Sequence, residues 1–172
     1  MKTAKEMIDF IIQKNIKPGK GMIKAFDVVE ETLLDNEEVF YCMGAFSASD
    51  GSPQIALGIT NSRVIAAQKK MFSNTVITIS LNCINDITFK RKLTGDYITI
   101  ANSSGDNLTI STYKGIGQEI VNALHNAIDS INSSSASNIN NVEEIRKYKS
   151  LLDDGIITIE EFQKKKQQLL GI

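Results

Sequence analysis

Between residues 39 and 112, hydrophobic and polar positions alternate in short β-branched runs, cut at regular intervals by turn residues. A period of two predicts strands with one face turned to a core and the other to water. The clearest pair is Tyr97-Ile98-Thr99-Ile100-Ala101 and Leu108-Thr109-Ile110-Ser111-Thr112, joined through Asn102-Ser103-Ser104-Gly105-Asp106. Two alternating arms about a Gly-containing loop are a hairpin signature. Residues 55–60 and 63–68 predict a second hairpin about Asn61-Ser62, and 75–80 alternates again. With 39–46 and 84–91 the count reaches seven strands in one antiparallel meander.

The period changes on both sides of this block. Ala4, Met7, Ile8, Ile11 and Ile12 fall on one face of a helix over 3–15, which Lys17-Pro18-Gly19 ends. Met22, Ile23, Phe26, Val29 and Leu33 predict a second helix over 20–34. Its polar face mixes Lys24 with Asp27, Glu30 and Glu31, unlike the basic face of a membrane-surface helix. Both stripes are therefore expected to pack on the sheet or on each other. After the strands, Ile116, Ile120, Leu124 and Ile128 recur every four residues, with Val121, Ala127 and Ile131 widening the stripe of a helix over 115–131. The whole is an α+β fold, a bent sheet or small barrel whose open end this helix plugs.

From residue 132 to 141 the chain is almost entirely Ser and Asn, too poor in apolar residues to pack, and reads as a flexible linker. Beyond it, 142–172 predicts a helix hairpin. Ile145, Tyr148, Leu151 and Leu152 line the first helix, and Gly155 is placed to end it in the left-handed conformation. Thr158 and Glu161 form a capping box for the second helix, with Ile157 and Phe162 as its hydrophobic staple. The domain boundaries are thus 1–131, 132–141 and 142–172.

Composition narrows the function classes. At 172 residues the chain is long enough for a real core, and its net charge of −1 exerts no general pull on nucleic acid or anionic lipid. No apolar run approaches the roughly 20 residues that span a bilayer. Glu6 and Asp9 interrupt the place of a signal-peptide core, so a cytoplasmic location is expected. Cys42 and Cys83, both within predicted strands, are expected to be reduced structural thiols.

Two resemblances add to this reading. The two leading helices, Leu34-Asp35-Asn36-Glu37-Glu38, and the strand pair around Leu57-Gly58-Ile59-Thr60-Asn61-Ser62-Arg63-Val64-Ile65 resemble a bacterial pleckstrin-homology-like domain of the YokE type. So do the stretch Ile79–Ile87, the further strands and the closing helix. The resemblance implies a seven-stranded PH-like barrel of two near-orthogonal sheets with a C-terminal capping helix. Leu151-Leu152-Asp153-Asp154-Gly155-Ile156-Ile157-Thr158-Ile159-Glu160-Glu161-Phe162, then Lys164-Lys165-Lys166 and Leu169-Leu170-Gly171, resembles the SHOCT (short C-terminal domain) family. That resemblance implies an appendage for interaction or oligomerisation and no chemistry.

The search for a chemical site is negative. The lone His125 has no context tying it to a nucleophile, and no phosphate loop or zinc spacing occurs. An EF-hand reading of 154–162 fails because its first and third positions are Ser150 and Leu152, and Leu152 carries no oxygen ligand. No catalytic residue, cofactor or metal is expected. Phosphoinositide binding by the resembled domains uses cations in the loop between the first two strands, and residues 47–53 hold none. Lys69 and Lys70, with Lys90, Arg91 and Lys92, are the candidate anion-facing residues. Neighbouring carboxylates nearly balance them, and core packing accounts for Phe72 and Phe89 as well as stacking on bases does, so no nucleic acid is expected. The expected role is a non-catalytic interaction protein that self-associates or binds a protein partner through Ile145, Tyr148, Leu152, Ile157, Phe162 and Leu169. A peripheral, anionic-lipid-binding module is the alternative.

Overall fold

The computed structural model describes residues 1–47, 54–105 and 107–170, with the side chains of 134–140 outside the description. The first strand loop, expected to lack cations, lies outside the described residues from 48 to 53. The chain divides into two compact units, Met1–Asp129 and Ser130–Ile172.

The first unit is built on seven strands: β1 (Val39–Ser47), β2 (Gln54–Thr60), β3 (Arg63–Lys69), β4 (Asn74–Ser80), β5 (Ile84–Lys92), β6 (Gly95–Asn102) and β7 (Leu108–Thr112). All pairings are antiparallel, in the order β4-β3-β2-β1-β7-β6-β5. A simple meander is therefore corrected in one respect: β4 and β5 are the two ends of the ladder, and β1 pairs with β7 in its middle. Only the 3-10 turn Leu81–Cys83 separates β4 from β5. Four residue steps reach about 14 Å, whereas six strand spacings across a flat sheet come to roughly 29 Å. The sheet must curl until its ends approach, which is the geometry of a PH-like fold, although among the described residues the ladder does not close.

Alternation gives way to continuous burial in β1, β2 and β3, because α1 (Ala4–Gln13) and α2 (Lys20–Thr32) cover the face that alternation would leave to water. Ala4, Met7 and Ile11 of α1 are buried, as are Met22, Phe26 and Val29 of α2. The contact is close. A Cβ on Gly44 would stand 2.1 Å from Cε of Met22, so a larger residue there requires the end of the buried Met22 side chain to move. Gly19 at the N-cap of α2 supplies no side-chain hydrogen bond, and Gln54 of β2 accepts from the Met22 N–H at 2.8 Å instead.

α3 (Gly117–Asp153) starts where Ile120, Val121, Leu124 and Ala127 bury against the rest of the first unit. Its backbone stays helical through 132–141, in place of the expected tether. Ser and Asn lower helix propensity by a few tenths of a kcal/mol each, but this segment contains no glycine or proline to break the i to i−4 ladder.

Candidate interaction surfaces

The buried charged groups of the first unit are structural. Glu37 is buried, and its carboxylate accepts from Arg63 Nη2 at 2.7 Å, Arg63 Nε at 2.9 Å, the Thr60 hydroxyl at 2.7 Å, the Ser62 hydroxyl at 3.0 Å and the Leu34 N–H at 3.1 Å. Burial by itself would raise the Glu37 carboxyl, but the hydrogen bonds led by Arg63 and Thr60 outweigh it and hold the pKa at about 2. Arg63 also donates to the Thr32 carbonyl, so this network pins the end of α2 to the β2–β3 turn. Asp96, fully buried in β6, accepts from the N–H groups of Gly115 and Gly117 at 2.8 and 3.0 Å, anchoring the start of α3.

The thiols separate. Cys42 is buried in β1, and burial pushes its thiol up to about 12. Cys83 is exposed and lies in the 3-10 turn, not in a strand, which corrects the expected placement. Tyr41 is buried beside Phe10, and burial together with the nearby Glu119 charge pushes its hydroxyl pKa up, so that it stays protonated. Glu119 is itself ion-paired to Lys14. None of these groups aligns a nucleophile with a base. His125 is exposed, in a shallow groove with residues 84–87 and Ile128.

The second unit carries the predicted association residues. Gly155 takes φ +69°, and the Ile156 N–H donates to the Leu151 carbonyl at 2.9 Å, closing α3 as a left-handed cap requires. α4 (Ile159–Leu170) opens with the expected capping box: the Glu161 N–H donates to Thr158 Oγ1 at 3.3 Å, and Glu161 accepts from the Thr158 N–H at 2.8 Å. Asn141 donates to the Leu169 carbonyl at 2.9 Å, and Lys165 pairs with Glu144 at 3.4 Å over the Tyr148 ring, tying the two helices together. Ile145, Tyr148 and Leu152 on α3, Ile157 before α4, and Phe162 and Leu169 on α4 are all half-buried. No residue of α4 is buried.

The anion-facing candidates do not form one surface. Following the pairings across the ladder, β3 and β5 run in opposite directions, so Lys69-Lys70 and Lys90-Arg91-Lys92 sit at opposite ends of the strands. Arg91 donates to Asp96 at 3.3 Å, and Lys92 lies 4.2 Å from the centre of the Tyr97 ring, so both serve the fold locally. Each basic tip nevertheless displays large apolar side chains. The Lys70 N–H donates to the Ser73 carbonyl, which places Met71 and Phe72 at the centre of a β-turn, 87% and 95% exposed. Leu93, in the tip after Lys92, is 91% exposed. Phe72 is thus not packed in the core, as its hydrophobicity suggested; Ser73-Asn74 directly after it were the readable turn signal.

Among the described residues no helix is long and apolar enough to cross a membrane, and no group of three or more His, Cys, Asp or Glu stands ready to hold a metal ion. No curated protein matches the chain. Among solved structures, it is similar to the C-terminal domain of an unknown protein from Leishmania infantum, with 16% identity over 61% of this chain and 92% of that one and a TM-score of 0.47. It is also similar to the hSac2 domain of the human phosphoinositide phosphatase Sac2, with 14% identity over 76% and 86% and a TM-score of 0.46. A short C-terminal domain model matches residues 143–170. The bacterial PH domain model matches residues 33–130, more than half of the chain, covering every strand of the curled sheet and the buried start of α3, and the chain accordingly belongs to the bacterial PH domain family.

Proposed function

We propose that the chain is a non-catalytic interaction protein of the cytoplasm, in which the PH domain is the folded body and the helix pair 142–170 associates with the same pair of a second copy. One observation carries this reading. The helix pair has a glycine cap between its helices, a capping box on the second and a coherent apolar stripe, yet Ile145, Tyr148, Leu152, Ile157, Phe162 and Leu169 all remain half-covered by their own unit. A unit below about 40 residues without disulfide or metal rarely holds itself together. Light scattering tests the reading: the full chain forms an oligomer, and Phe162→Asp or a chain stopped at Ser133 gives a smaller species. Equal masses in all three remove hairpin self-association.

A second reading, attachment to anionic membranes, draws support from Met71 and Phe72 beside Lys69-Lys70 and from Leu93 beside Lys90-Arg91-Lys92. Exposed apolar tips flanked by cations suit a lipid interface, where side chain and charge act together. Cosedimentation with anionic vesicles at low and high salt separates the two. Salt-sensitive recovery that Phe72→Ser weakens favours attachment, and its absence leaves the interaction role alone.

A further inference from the structure

We infer that β4 is a docking edge for a second copy of this chain, whose own β4 pairs with it antiparallel across a two-fold axis. β4 is an end of the ladder and pairs only with β3; among the described residues no other backbone hydrogen bond reaches residues 74–80. Every second N–H and C=O of such a strand points away from the sheet with no ladder partner. Sheet edges are ordinarily guarded by charge, proline, a bulge or brevity. β4 has none of these. Its seven residues, Asn-Thr-Val-Ile-Thr-Ile-Ser, are uncharged, and they pair with β3 in unbroken register over their full length. Val76 and Ile77 are 38% and 43% exposed. A cleft of about 500 Å³ is lined by residues 76–79 together with Asn102, Ser104 and Asn107.

The other end of the ladder shows what guarding looks like. β5 carries Lys90, Arg91 and Lys92, and its register shifts between Ile84 and Asp86. β5 thus carries both the charges and the irregularity that β4 lacks. With the two-fold axis at Ile77, Val76 faces Thr78, Thr75 faces Ile79 and Asn74 faces Ser80 of the other copy. β-Branched residues then oppose one another along the centre, and polar residues at the ends. The strand's neutrality and self-complementarity point to its own copy as occupant.

This surface is independent of the helix pair. A chain with two distinct two-fold interfaces grows beyond a dimer when both act. The test uses the full chain carrying Phe162→Asp, so that hairpin association is removed, in sedimentation between about 1 and about 100 µM. The expected species at the upper end is a dimer, and the β4 amides directed away from β3 exchange at least about tenfold more slowly there than on dilution. Adding Ile77→Lys brings like charges together at the axis, and Thr78→Lys, at an exposed position, sets a charge against Val76 of the other copy; each returns a monomer throughout, with the thermal midpoint of the sheet retained. Two variants are used so that a folding defect in one does not decide the matter. A Phe162→Asp chain that stays monomeric at every concentration overturns the inference, as does a dimer that survives both lysines. If Phe162→Asp leaves the native mass unchanged, the hairpin reading falls while the lysine variants still decide β4.

Discussion

Glu37 and Arg63 show how much of this fold rests on one pair of side chains. A buried carboxylate that keeps its guanidinium partner is satisfied, but one that loses it is left charged in a poor solvent. Arg63→Leu is therefore expected to cost about 3–5 kcal/mol, measured by urea titration at neutral pH. The acid response has a fixed sign. The folded pKa of Glu37, about 2, lies below its ordinary 4.5, so the stabilisation is complete above pH 4.5 and is lost as pH falls towards 2. Between pH 6 and pH 2 the native chain should lose about 3 kcal/mol through this group, and Glu37→Gln should lack that component. Nothing in the string Asn36-Glu37-Glu38 distinguishes the inward carboxylate from the outward one. Glu37 is chosen by the β2–β3 turn 23 to 26 residues away, which only the fold supplies.

At the scale of elements, the strands were the most legible part, because alternation and turn residues are local signals. The predicted 97–101 strand, for example, extends only to Gly95–Asn102. What alternation could not foresee is continuous burial in β1, which depends on helices arriving from the other side. Gly44 records that arrival, and Gly44→Ala should destabilise by about 1–3 kcal/mol through overpacking against Met22, with Met22→Ala recovering part of the loss. α3 was read well as far as its buried stripe and poorly beyond it. Leu124 is fully buried, so Leu124→Asp should unfold the first unit outright, seen as loss of its cooperative thermal transition. Past Asp129, low apolar content was a sound argument against packing but a weak one against helix, since a solvated helix needs no core.

The whole molecule joins two units stabilised in different ways. The first has a core assembled from both faces of a curled sheet, with Phe26, Met43, Leu57, Ile65 and Ile98 among its fully buried side chains. The described residues of the second hold none in that class. Their thermodynamics must differ in consequence. A unit that hides its apolar stripe only by association gains stability with concentration, by mass action, while a unit with its own core does not. The SHOCT resemblance suggested an interaction element, but the half-coverage of Tyr148, Phe162 and Leu169 became visible only with both helices in place. Two thermal transitions are expected in the full chain. The helical transition assigned to 142–170 should rise by several degrees over a hundredfold increase in concentration, and Phe162→Asp should abolish that rise. The sheet transition should keep its midpoint when Phe162 is replaced. A helical transition that ignores concentration would mean that the hairpin is stabilised within a single chain, and self-association through it would be excluded.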